Sequence, residues 1–115
     1  VPVPRHEAKA ELFRTLGNPV RIRVLELLSE REHAVHELLA KLDCEPSTLS
    51  QQLAVLRRAG IVRQQRVGGE VRYSLLVDSV RDLLAAARTT LGDLLADQAR
   101  LQADLDSEAL AGEAR

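Results

Sequence analysis

Apolar positions recur at helical spacing through most of the chain, change once to strand-like alternation around a glycine pair, and then return as a long heptad. Leu12, Phe13 and Leu16 mark one face of a helix that starts near Glu7 and ends at Gly17. Asn18 and Pro19 then supply an N-cap and a first-turn proline, so a second helix begins at Pro19. Its apolar set, Val20, Ile22, Val24, Leu25, Leu27 and Leu28, covers enough of the circumference to be mostly buried, with Arg21 and Arg23 outward. That helix ends around Ser29 to Arg31. From Ala34 to Leu42, Val35, Leu38, Leu39 and Leu42 give a short one-faced helix. Asp43-Cys44-Glu45-Pro46 interrupts it, and Pro46 opens a further helix whose buried stripe is Leu49, Leu53 and Leu56 and whose end is Gly60.

Ile61 to Val67 and Glu70 to Leu75 are rich in β-branched residues and flank Gly68-Gly69, a hairpin signal because both glycines can take positive φ. On the second strand Val71, Tyr73 and Leu75 share one face, and Arg72 and Ser74 the other. After the N-cap at Asp78-Ser79 one helix pattern runs to about Leu105. Val80, Leu84, Ala87, Leu91, Leu94, Gln98, Leu101 and Leu105 follow steps of four and three, widened by Leu83 and Leu95. Such a helix, about 40 Å long at 1.5 Å per residue, outreaches so small a domain. Its first two turns are expected to fold onto the chain's own core, and the remaining seam needs a second chain. Leu84, Ala87, Leu91, Leu94 and Leu101 are therefore assigned to a dimer interface. The predicted organisation is a flexible arm at 1–6, a domain at 7–106 and a flexible acidic tail at 107–115. The fold class is mainly α with a small β-hairpin wing: a dimeric winged helix-turn-helix, with four helices before the hairpin and one after it.

At 115 residues the chain can bury a core without a staple, and its one cysteine, Cys44, cannot form an internal disulfide. The longest apolar run, Leu83 to Ala87, is far short of a membrane span, and the first residues lack the apolar core of a signal peptide, which points to a cytoplasmic protein. Basic residues are overwhelmingly arginine. The formal net charge of −1 conceals a segregation. Residues 46–75 carry Arg57, Arg58, Arg63, Arg66 and Arg72 against Glu70, a net +4, whereas residues 91–115 carry six acids against Arg100 and Arg115, a net −4. A basic segment of this kind can meet phosphates while an acidic end stays clear of them.

No acid lies between Pro46 and Gly60, and the face opposite the leucines offers Ser47, Thr48, Ser50, Gln51 and Ala54. Hydroxyls and amides without carboxylates suit base edges and phosphates. Ser47, Thr48, Ser50 and Gln51 are the candidates for base readout, the Gln51 amide matching adenine N6 and N7. Arg57, Arg63, Arg66 and Arg72 are the candidates for phosphate contact. Nothing in the chain resembles a phosphate loop, an activated nucleophile or a catalytic carboxylate pair, so an enzyme is not expected.

Three segments in order carry a family likeness: Phe13-Arg14-Thr15-Leu16-Gly17-Asn18-Pro19-Val20-Arg21-Ile22-Arg23-Val24-Leu25, then Ser50 to Val62, then Gly68-Gly69-Glu70-Val71-Arg72-Tyr73-Ser74-Leu75. Over residues 7–95 the chain resembles the ArsR/SmtB family of bacterial winged-helix repressors. That resemblance implies a homodimer built from the first and last helices, which adds Leu12 to the interface, the helix from Pro46 in the major groove, and effector-controlled release from a double-stranded operator. The family's arsenic-type cysteine pair falls on Ala34 and His36, and its zinc-type ligands fall on Val77, Ser79, Thr90 and Asp93, so neither familiar metal site is intact. A redox switch within one chain lacks its second cysteine. The remaining donors are His33 and His36, three apart, and His6 on the arm, the expected set for Ni²⁺ or Zn²⁺. The competing expectations are a winged-helix protein-interaction module and a ligand-independent regulator controlled by a partner protein.

Overall fold

A computed structural model describes residues 2–113, and the outermost residues of the expected arm and tail, at 1, 114 and 115, lie outside the described residues. The element order is α1 (Arg5–Leu16), α2 (Pro19–Glu30), β1 (His33–Ala34), α3 (Val35–Lys41), α4 (Pro46–Arg58), β2 (Val62–Val67), β3 (Glu70–Leu75) and α5 (Ser79–Glu113). The winged helix-turn-helix order read from the sequence is thus present, with one addition. β1 pairs antiparallel with β3, making a three-stranded sheet in the order β1-β3-β2. The residues group into two units, one reaching to Arg81 and one starting at Asp82, where the expected division was a single body at 7–106.

Local chemistry accounts for the element boundaries. The Asn18 side-chain oxygen accepts hydrogen bonds from the N–H groups of Val20 and Arg21 at 2.9 and 3.1 Å, and Pro19 fills the first turn of α2. At the end of α4, Gly60 has φ +77°. Its N–H donates to the Arg57 carbonyl, and that of Ile61 donates to the Leu56 carbonyl, which is the paired closure of a Schellman motif. Both turn glycines of the hairpin take positive φ, 56° at Gly68 and 85° at Gly69, so the tight turn is made as expected.

The core of the first unit gathers Leu16, Val24, Leu25, Leu27 and Leu28 with Leu38, the α4 stripe Leu49, Leu53 and Leu56, and Ile61, Val62, Tyr73 and Val80. Each such leucine stabilises the fold by roughly 1.5–3 kcal/mol through burial. Burying the α4 stripe leaves Ser47, Ser50, Gln51, Arg57 and Arg58 on the exposed side.

Three expectations are corrected, two at the ends of elements and one on the faces of α2. The arm is shorter, because the Pro4 carbonyl accepts from Glu7 and Ala8 and starts α1 at Arg5, which takes His6 into the helix. The tail is helical as far as Glu113, because Glu108, Ala109, Leu110 and Ala111 favour helix after the apolar stripe has ended. On α2, Ile22 is exposed rather than buried, and Arg21 is turned inward rather than outward.

Replacing Asn18 by Ala is expected to cost about 1 kcal/mol, since two first-turn N–H groups lose their acceptor, whereas Asn18→Asp retains most of the stability. Urea denaturation of the three proteins measures this, and equal midpoints for wild type and Asn18→Ala would refute it.

Candidate nucleic-acid interface

Helix α4 is held from behind by its leucines and from the side by an arginine brace. The Arg21 guanidinium donates to the Thr15 carbonyl at 2.6 Å, to the Arg14 carbonyl at 3.3 Å and to Gln52 Oε1 at 2.5 Å. Arg21 therefore ties the end of α1 to the middle of α4. Neither Arg21 nor Gln52 stood out in the sequence, since they are 31 residues apart and each alone reads as an ordinary surface side chain.

The four expected base-reading residues lie together on the first turns of α4. Ser47, Ser50 and Gln51 are exposed and Thr48 is half-buried. Arg57 and Arg58 follow at the other end, the second of them absent from the sequence-based set although it sits in the same acid-free run. Arg57 donates to Gln64 Oε1 on β2, which links the recognition helix to the wing. On the wing, Arg63 pairs across the ladder with Ser74 and Arg66 with Val71, so the two arginines lie on opposite faces of the hairpin. Both are exposed, and among the described residues neither they nor Arg58 forms an ion pair.

Arg72 departs from expectation. It is not a free phosphate ligand but the centre of an ion cluster. Its guanidinium pairs with Glu32, with Glu70 at 2.8 Å and with Glu37 at 3.7 Å, and its side chain is only 23% exposed. The carboxylates hold its pKa above the ordinary arginine value, Glu32 contributing most. Glu37 in turn accepts from Arg31 at 2.8 Å and from the Ala34 N–H at 2.9 Å, and these bonds lower its pKa to about 2. Glu70 is also lowered, first by its hydrogen bond from His36 and then by Arg72. The cluster fastens the start of α3 to β3.

The three histidines do not form the expected donor set. His33 lies in β1 rather than on a helix face with His36, and is fully buried. Its Nδ1 faces the Arg31 carbonyl at 2.9 Å and its Nε2 faces Lys41 Nζ at 3.2 Å. A carbonyl only accepts and an ammonium only donates, so the ring carries its proton on Nδ1 and its lone pair already engages Lys41. His36 is exposed and bonded to Glu70 at 2.9 Å, while His6 stands in the first turn of α1. Among the described residues no group of three or more His, Cys, Asp or Glu is placed to hold a metal ion.

The residues assigned to a dimer interface are mostly exposed. Leu12 and Phe13 on α1 are exposed, as are Leu91, Leu94 and Leu101 on the continuous α5, with Ala87 exposed and Leu84 half-buried. Among the described residues no helix is long and apolar enough to cross a membrane.

A family model described as bacterial regulatory protein, arsR family, matches residues 18–64, from the Asn18 cap to the first half of the wing. A transcriptional regulator of the helix-turn-helix type from Mycobacterium tuberculosis is 48% identical over 103 residues, 89% of this chain and 90% of the relative. The chain belongs to the ArsR family. The crystal structure of that relative superposes with a TM-score of 0.77, covering 84% of this chain and 98% of the other. A biofilm growth-associated repressor from Agrobacterium fabrum is 41% identical over 90 residues, 75% of this chain and 77% of the relative. A homodimeric winged helix-turn-helix DNA-binding domain from Mycobacterium bovis matches with a TM-score of 0.69 at 26% identity, covering 82% and 91%. As an ArsR-family member the chain is a DNA-binding transcriptional regulator.

The ion cluster carries a pH dependence of stability. Because the pKa of Glu37 is lowered from 4.5 to about 2, its contribution is complete above pH 4.5 and is lost as pH falls toward 2. Chemical denaturation between pH 5 and pH 2.5 is expected to show a decline that Glu37→Gln makes shallower. An identical slope in the variant would show that the cluster does not hold the fold.

Proposed function

We propose that this ArsR-family regulator acts as a repressor, binding an inverted-repeat operator as a homodimer with one copy of α4 in the major groove of each half-site. The observation that carries the reading is the face of α4 itself: Ser47, Ser50 and Gln51 presented outward beside a half-buried Thr48, no acid along the helix, and Arg57 and Arg58 at its end. In this reading the hydroxyls and the Gln51 amide meet base edges while Arg57, Arg58, Arg63 and Arg66 meet phosphates. Arg72 stabilises the wing from behind and contributes little to the phosphates.

Homodimerisation is supported by exposed apolar side chains on two helices. Leu12 and Phe13 on α1, and the heptad Leu91, Leu94, Leu101 and Leu105 on α5, are poorly suited to water and well suited to a second copy. Two recognition helices on a two-fold axis then reach half-sites about one DNA turn apart, ~34 Å. The Agrobacterium relative is named a repressor and the Mycobacterium bovis domain is described as homodimeric, which supports the same assignment here. Control by an effector accords with the family.

Two substitutions separate readout from attraction. Gln51→Ala should cost ~1–3 kcal/mol on the preferred operator and relax preference at one position, whereas Arg66→Ala should weaken all sequences alike and flatten the salt slope by about one unit. Fluorescence anisotropy on operator and random duplexes, over a salt series, measures both. Equal losses on the two duplexes for Gln51→Ala would remove α4 from base readout.

A further inference from the structure

Between α3, α4 and the hairpin lies an open groove of about 520 Å³, which reaches the exposed side of α4 at Ser50. Its walls are apolar: Val35 and Leu39 from α3, Leu53 from α4 and Val71 from β3. Tyr73 also lines it. This side chain is 5% exposed and its hydroxyl has no hydrogen-bond partner among the described residues. No fully enclosed side-chain oxygen or nitrogen among those residues lacks a partner, so the Tyr73 hydroxyl opens onto the groove. The ring is buried while the hydroxyl is accessible from the groove, free to donate to an acceptor placed there.

The other polar groups narrow the chemistry of an occupant. Gln64 accepts from Arg57 through Oε1, and Ser50 adds an exposed hydroxyl to the lining. His36 and Glu70 close one side, but they bond each other at 2.9 Å, and Glu70 is further paired with Arg72. The ionisable groups lining the groove are thus already matched, and a charged ligand would find no counterion. Apolar walls with an unpartnered tyrosine hydroxyl and no unmatched charge suit an uncharged molecule with an oxygen acceptor, and the volume falls in the range of small-molecule sites.

We propose that this groove binds a compact uncharged organic molecule, an apolar ring body bearing one oxygen acceptor, and that its occupancy changes DNA affinity. The Tyr73 hydroxyl donates to the oxygen while the aliphatic side chains of α3, α4 and β3 receive the ring. The occupant touches α3, α4 and both wing strands at once, so it favours whichever setting of wing against recognition helix it fits best. That differential affinity is what couples the two ligands. The regulatory half rests on the DNA-binding reading above; the binding half does not.

The test is calorimetric titration of the full chain with 2-naphthol, an uncharged hydroxylated ring at neutral pH, followed by anisotropy on an operator selected from random DNA. Saturable binding of one molecule per chain is expected, and Tyr73→Phe should weaken it about fivefold while leaving DNA affinity without 2-naphthol unchanged. Val71→Trp, which fills the groove, should remove binding, with circular dichroism confirming its fold. Saturating 2-naphthol should shift the operator dissociation constant about threefold or more. No saturable heat, or binding that Tyr73→Phe leaves intact, overturns the site. Binding without any change in DNA affinity overturns the regulatory half. A wild-type chain that ignores every duplex in the absence of 2-naphthol overturns the DNA-binding reading instead, and leaves the site to stand on calorimetry.

Discussion

Burial of Leu49, Leu53 and Leu56 fixes the rotation of α4, and nearly everything the chain does at its surface depends on that rotation. A helix can present only one side to solvent once a three-leucine stripe is committed to the core. The side left over here carries hydroxyls, amides and terminal arginines. The Schellman closure at Gly60 then turns the chain directly into Ile61 and the wing, so recognition helix and hairpin share one rigid corner. The Arg21 brace holds the same helix from the α1 side.

Charge divides into two populations with different tasks. Arg58, Arg63 and Arg66 are exposed and unpaired among the described residues, and their attraction is available to a polyanion. Arg72 has its charge compensated by Glu32, Glu37 and Glu70, and it fastens β3 to the start of α3. A net +4 counted over the whole segment therefore overstates what DNA meets, and the uncompensated arginines of α4 and the wing account for the remainder.

Local signals in the sequence were strong where one short stretch settles the structure. Asn18-Pro19, the leucine spacing of α4 and Gly68-Gly69 each determine their element without help from distant residues, and each forms as read. What escaped was long-range. β1 is two residues long and exists only because Tyr73 and Arg72 lie alongside it, so no pattern in His33–Ala34 announces a strand. The i, i+3 spacing of His33 and His36 implied a shared helical face, but the strand turns His33 into the core and separates the pair. Arg72 alternates correctly for an outward side chain, and only the fold brings Glu32, 40 residues away, to meet it. At the C-terminal end, the loss of apolar pattern after Leu105 was read as loss of helix, whereas helix propensity outlasts the pattern.

The central claim is that two copies of this α4 face, set by its buried leucines and related by a two-fold axis, read DNA together. Selection of bound duplexes from a random pool tests it most directly, because no operator has to be assumed. The account predicts enrichment of an inverted repeat whose half-sites are centred about one helical turn apart, ~10 base pairs. Enrichment of a single unrepeated site, or no enrichment over the starting pool, would contradict it.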